Sequence, residues 1–444
     1  MDRRRVAHEH PALRPAGPGV GWSVRLLVLL VLLAVAAGCG GGGPGVPPAP
    51  TRVRWTFLAA PAVYYGSPAL STDGRTVYVG TSLWISAPMS AAHAFTALDA
   101  ATGSARWSYP LRAREVRSTP AVGPDGSISF VVEQRTGASA SDALLHISSA
   151  GNLLWERDVN PTGVTLEVGQ SAPAIAGDGT IYVAGDRLYA FRPDGSPRWT
   201  ALAPTGEAWK NAPVIGRDGT VYFVTHNVPL TALDPDTGAV RWQRSLGVDD
   251  HCLASPAIGA DGTLYVATQP GLVYAVSAAG DLRWQFDIAS AGFTGYLRSS
   301  PAVDADGAIY FGLNGGSPSS ALFALTPGGA VRWIFQPGDL PADVPRDHFD
   351  VYSSPAIGSD GTVYFGQEFG RVYALDPSGG AVRWMQATRS GITWPSPALA
   401  ADGLLYICDL SGTCYAISTD SRGTKATAPW PKFRGDAQNT GRQP

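Results

Sequence analysis

Few of the 444 residues have types and spacings suited to chemistry. Cys252 follows His251, a pair of the kind that binds zinc, but two ligands do not complete a tetrahedral site. Asp304-Ala305-Asp306-Gly307 mimics the opening of a calcium loop. No glutamate follows at the offset that would close such a loop, so the segment reads as a turn. The chain has no Gly-x-Ser-x-Gly elbow, no His-Glu-x-x-His and no Cys-x-x-Cys-His. Cys408 and Cys414 flank Asp409 to Thr413, which reads as a hairpin turn. A disulfide across that hairpin is expected in an oxidising compartment, with two free thiols as the alternative. The glycines from Gly40 to Gly43 do not form a phosphate loop, because no strand precedes them and no lysine accompanies them.

The elements that must position these residues repeat along the chain. Asp-Gly recurs with its glycine at 74, 126, 179, 219, 262, 307, 361 and 403. Pro-Ala or Pro-Val enters each unit at Pro68, Pro120, Pro173, Pro213, Pro256, Pro301, Pro355 and Pro397. Short runs of alternating apolar residues lie between, as in Thr362 to Gly366 and Val372 to Leu375. Period-two runs separated by tight turns are antiparallel strands, and the repeat length is that of a four-stranded propeller blade. Seven units close on a tryptophan: Trp107, Trp155, Trp199, Trp242, Trp284, Trp333 and Trp384. The eighth tryptophan, Trp55, precedes the first entry. The expectation is therefore an all-β, eight-bladed β-propeller over residues 52–428, its last blade completed by the strand around Trp55. Such closure leaves no free edge between the first and last blades.

The connection before each blade's first strand reaches the mouth of the central channel. These connections carry Glu167, Trp209, Lys210, His251, Arg298, His348, Tyr352 and Trp394, which we take as the candidate binding mouth. Gln170, Asn211, Asp249, Asp250, Asp347 and Asp350 accompany them. Longer insertions fall at Thr81 to His93 and Asn314 to Ser320, between second and third strands.

Ala232 to Trp242 reads ALDPDTGAVRW, and Ala97 to Trp107 and Ala374 to Trp384 repeat its Asp, Gly and Trp. This resembles the tryptophan-docking motif of the pyrroloquinoline-quinone-type propeller repeat. The resemblance implies that the eight tryptophans pack between blades as structural residues. Blade 2 departs from the motif at Leu145-His146-Ile147-Ser148. The quinone enzymes of this superfamily carry adjacent cysteines and a calcium held by Glu, Asn and Asp. Here Cys39, Cys252, Cys408 and Cys414 are all apart and no calcium motif stands out. The resemblance thus implies a propeller with no cofactor and no metal. Quinone with calcium belongs to the alternative of a quinoprotein oxidoreductase.

Residues 1–38 have a basic front, Arg3, Arg4, Arg5, Arg14 and Arg25, then an apolar run from Leu26 to Ala37. Twelve apolar residues suit a signal segment better than a span. Ala36-Ala37-Gly38-Cys39 resembles a lipobox, although leucine is usual where Ala36 stands. The resemblance implies cleavage before Cys39 and lipidation of its thiol. Residues 39–51 read as a Gly/Pro tether. Loss of the front segment would take five arginines and two acids with it, moving the net charge from −3 to −6. That excludes the basic stripe of a nucleic-acid binder. Residues 429–444 read as a capping tail whose Trp430 and Phe433 dock on the ring. The functional expectation is a monomeric, non-catalytic propeller, lipid-anchored at the bacterial cell envelope, that binds a protein partner as a scaffold. The alternatives are the quinoprotein and a small-molecule or glycan sensor.

Overall fold

The computed structural model describes residues 51–444 apart from 60–61, 83–92, 137–138, 162–170, 202–210, 226–227, 248–251, 318–319 and 338–349. The front segment, Cys39 and most of the tether lie outside the described residues. Eight antiparallel sheets make an eight-bladed propeller. Blade 5 shows the common pattern. Its strands are Ala257–Ile258, Leu264–Ala267, Leu272–Val276 and Leu282–Asp287, from the axis outward. The innermost strand has two residues because the entering proline offers no N–H to extend the ladder.

The eighth blade is assembled from both ends of the described chain. Val53–Leu58 pairs antiparallel with Thr413–Ser418, placing Trp55 opposite Ala416 and Phe57 opposite Cys414. Cys408 and Cys414 are themselves a facing pair in that blade and are disulfide-bonded. In blades 2 and 6 the inner strand comes in two pieces. Glu115–Val116 and Ala121–Val122 both pair with Ile128–Thr136, and Thr294–Leu297 and Ala302–Val303 both pair with Ile309–Ser317. Part of the segment read as a loop insertion, Asn314 to Ser317, is therefore strand. Its partner, Thr294 to Leu297, precedes the blade's proline and carries no period-two signal strong enough to announce it.

Neighbouring blades are held by their tryptophans. The indole N–H of Trp55, Trp107, Trp155, Trp199, Trp242, Trp284 and Trp333 donates to a carbonyl in the next blade's turn between third and fourth strands. The turn glycine lies under the indole. At Gly238 φ is +71°, and a Cβ would stand 2.7 Å from the Trp199 ring, so glycine meets both the turn and the contact. Trp384 differs because blade 8 takes its fourth strand from the other end of the chain and has no such turn. The Arg52 guanidinium covers the Trp384 ring instead, at 4.9 Å.

Blade 2 breaks the motif by exchanging two side chains. In seven blades a tyrosine on the second strand faces an alanine on the third, as Tyr182 faces Ala190, and its ring touches the blade's tryptophan. Blade 2 places Ser129 opposite His146. His146 stacks on Trp155 at 4.6 Å and is joined to Ser129 Oγ at 2.8 Å. The aromatic volume has moved one strand outward. Burial pushes the imidazole down to about 4, against the opposing pull of Asp125. An unfolded histidine titrates near 6.5. The unfolded chain therefore takes up a proton between pH 6.5 and 4 that the folded chain refuses. This contribution is complete above pH 6.5 and is lost as pH falls toward 4. Unfolding free energies from urea titration should drop over that window by roughly 2–3 kcal/mol more in the parent than in the Ser129→Ala/His146→Phe double variant. Equal acid slopes would show that His146 does not control this limb.

Candidate functional site

Each inner strand runs from one face of the ring to the other. On one face lie the short Asp-Gly turns. On the opposite face lie the connections between blades and the hairpins between second and third strands. Two side-chain rings line the axis near this second face. The deeper ring is the residue before each proline. The Ser255 N–H donates to Ser300 Oγ, Ser300 to Ser354, Ser354 to Ser396, and Ser396 to Ser67, all at 2.9 Å. Ser67 then donates to Thr119 Oγ1 at 3.0 Å. The bond from Ser396 to Ser67 crosses the seam. A hydroxyl accepts across six of the eight blade boundaries, the sixth bond running from the Ala212 N–H to Ser255 Oγ at 3.0 Å, whereas Ala172 and Ala212 offer no acceptor.

The upper ring is the residue two positions before each hydroxyl. It supplies Tyr65, Arg117, Leu253, Arg298, Tyr352 and Trp394 to a single pit. Arg298, Tyr352 and Trp394 of the expected mouth come together here. Tyr352 and Trp394 pack at 5.1 Å between centroids, and the Arg298 guanidinium lies 5.7 Å from the Tyr352 ring. Asn211 is buried and donates from its amide to Val224 and Cys252 carbonyls, a structural role. Glu167, Trp209, Lys210, His251 and His348 lie outside the described residues, as do Gln170, Asp249, Asp250 and Asp347.

Sequence reasoning missed Tyr65, Arg117, Leu253 and Phe433. The first three were findable: each stands at the same offset from a Pro-Ala as Arg298, Tyr352 and Trp394 do. Arg117 and Arg298 come from the two blades with extended inner strands, which stand opposite each other in the ring. Pairing of Glu115 with Glu133 across blade 2 sets two carboxylates around Arg117, at 2.9 and 2.7 Å. The three side chains are almost wholly buried. Arg298 has no carboxylate partner of this kind among the described residues. Asp350 and Glu368 act on Tyr352 without lining the pit. Burial, then the neighbouring Asp350, raises Glu368 to about 7.

The floor of the pit is Phe433, brought from the tail. The tail crosses the axis beneath the hydroxyl ring. Inner-strand amides of Leu70, Val122, Ile175, Ile215, Val303 and Ile357 donate to the carbonyls of Ala437, Gln438, Thr440, Gly441, Trp430 and Pro431. Arg434 forks to the Pro213 and Pro173 carbonyls at 2.8 and 2.7 Å, and the Asn439 amide reaches those of Pro68 and Pro120. Lys432 is buried and donates to the Phe433 and Asp436 carbonyls and to Asn439 Oδ1, which folds the tail on itself. The tail thus covers one end of the channel.

The calcium-loop mimic is a turn. Asp306 caps the Ala308 amide and accepts from Arg332 at 2.7 Å, while Asp304 pairs with Lys425 at 2.7 Å. Among the described residues no three of His, Cys, Asp or Glu converge as a metal site.

The family model for the outer membrane protein assembly factor BamB matches residues 140–333 and 318–427, more than half of the sequence. The chain belongs to this family. Among solved structures, BamB from Moraxella catarrhalis is similar at a TM-score of 0.59 and 16% identity, over 82% of this chain and 99% of that one. A europium-containing methanol dehydrogenase is similar at 0.56 and 15%, over 87% of each chain. The C-terminal WD40 domain of Sif2 follows at 0.58 and 11%, over 83% and 99%. At these identities the likeness is one of fold. A search of curated proteins finds no match.

Proposed function

We propose that this protein is a non-catalytic, lipid-anchored propeller of the bacterial cell envelope that binds a protein partner as a scaffold. The observation that carries the reading is the difference between the two faces. The tail occupies the axis at one face, whereas among the described residues the opposite face holds a pit lined by arginine and aromatic side chains. Loops held on a rigid ring are the usual seat of binding. Membership of the BamB family, whose model is that of an outer membrane protein assembly factor, supports a scaffold at the envelope. Lipidation at Cys39 would hold the protein at the membrane, since several acyl chains at about 0.8 kcal/mol per buried methylene bind almost permanently.

The quinoprotein alternative fits the residues poorly. No carboxylate lines the pit, and Glu115 and Glu133 beside it are already engaged by Arg117. The small-molecule or glycan sensor remains the reading to set against a protein partner.

The test is affinity capture from detergent-solubilised envelope with the parent and a Trp394→Ala variant. The parent should retain a defined partner, and the variant should retain several-fold less at an unchanged melting temperature. Stoichiometric quinone uptake with calcium, followed by dye reduction, would replace this reading with the enzymatic one. Radiolabelled palmitate should enter the parent and not Cys39→Ser, and label in both would remove the anchor.

A further inference from the structure

The polar side chains that line the pit are two guanidiniums and a set of hydroxyls, with no carboxylate among them. Among the described residues Arg117 Nη1 and Arg298 Nε have no hydrogen-bond partner, and Arg117 is 1% exposed. Thr119, Ser255, Ser300 and Ser354 each accept a backbone N–H from a neighbouring blade. Their own hydroxyl protons find no acceptor among the described residues. A buried donor without a partner costs free energy, and these six donors belong to residues that line one concave space. The two guanidiniums stand on opposite blades, so a group on the axis meets both. Arg117 is held by Glu115 and Glu133 and acts as a fixed donor. Arg298, with no carboxylate of its own among the described residues, supplies the attraction for negative charge. The rest of the lining is Tyr65, Leu253, Tyr352, Trp394 and Phe433, which suits an organic stem.

We infer that the pit is a carboxylate site, and that it takes an acidic side chain presented by a protein partner. Guanidinium and hydroxyl donors match the lone pairs of a carboxylate. The aromatic wall packs on the methylenes that carry it. The face on which the pit opens is the one that bears the interblade connections, so a segment can descend to the axis while its flanks rest on the rim. The inference rests on the scaffold reading and adds the chemistry of the partner's anchor.

The experiment uses ligand-observed NMR on the full ring. Its probes are a glutamate tripeptide with both ends blocked, the matching glutamine tripeptide, glutarate and inorganic phosphate. The glutamate peptide should bind in the millimolar range and at least tenfold more tightly than the glutamine peptide. Its affinity should fall several-fold as salt rises from about 50 to 500 mM. Arg298→Met should weaken it at least tenfold with an unchanged melting temperature. Equal affinity for the two peptides overturns the inference on the parent protein alone, whatever the variant does. Tighter binding of glutarate or phosphate than of the peptide overturns the assignment to a partner's side chain. If envelope capture succeeds equally with Arg298→Met, the scaffold reading stands and the carboxylate site falls.

Discussion

Removal of residues 429–444 should leave a ring that no longer stays closed. Six inner-strand amides lose their acceptors together, and they lie at the axis, where each blade presents its free edge. Edge strands with unmet hydrogen-bonding groups are prone to further pairing, and the tail is what covers them here. Trp430 leaves with the tail and is 1% exposed in place. The point variant Arg434→Ala isolates one part of this effect. It removes two charge-assisted bonds to the Pro173 and Pro213 carbonyls from a buried position and should cost about 3–5 kcal/mol. Arg434→Lys should not restore it, because one ammonium cannot reproduce a planar fork between two blades. Urea unfolding and limited proteolysis of the three variants measure this. A truncated chain with the parent's midpoint and protease resistance would show that the tail is an ornament on a self-sufficient ring.

Trp199→Ala should cost a further large amount, about 3–5 kcal/mol. The indole is 9% exposed, bonded to the Pro235 carbonyl at 2.9 Å, packed near Tyr182 at 5.5 Å and seated on Gly238. Gly238→Ala attacks the same joint from the other blade. It imposes a positive φ on alanine and drives a methyl into the indole, so about 2 kcal/mol is expected. The two losses should not add, since both break one contact. Trp384→Ala is the internal control. Its ring meets Arg52 in place of a glycine turn, so its loss should be smaller. Equal losses at Trp199 and Trp384 would refute the dock of indole on turn as the source of the stability.

These two results concern features of different visibility. The Asp-Gly turns, the entering prolines and the closing tryptophans lie within a few tens of residues of one another. Each follows from local backbone chemistry: φ above zero at Gly238, no N–H at the prolines, an aromatic that must be buried. Blade count and the recruitment of Trp55 to the seam followed from counting them. The Ser129 and His146 exchange was visible as a break in the motif, but its compensating nature required the cross-strand register.

The sequence alone determined the repeat, the eight blades, the seam and the tryptophan joints, because short-range turn geometry and period-two alternation dictate them. The tertiary structure decided the pit. Its lining is gathered from six blades and the tail, and the offset that marks Arg117 and Arg298 says nothing of their shared pit until the ring sets their blades opposite each other. The tail's place was likewise a matter of closure. A run of residues such as Lys432, Arg434 and Asn439 looks solvent-loving until eight strand edges meet at an axis and offer it carbonyls and amides in every direction.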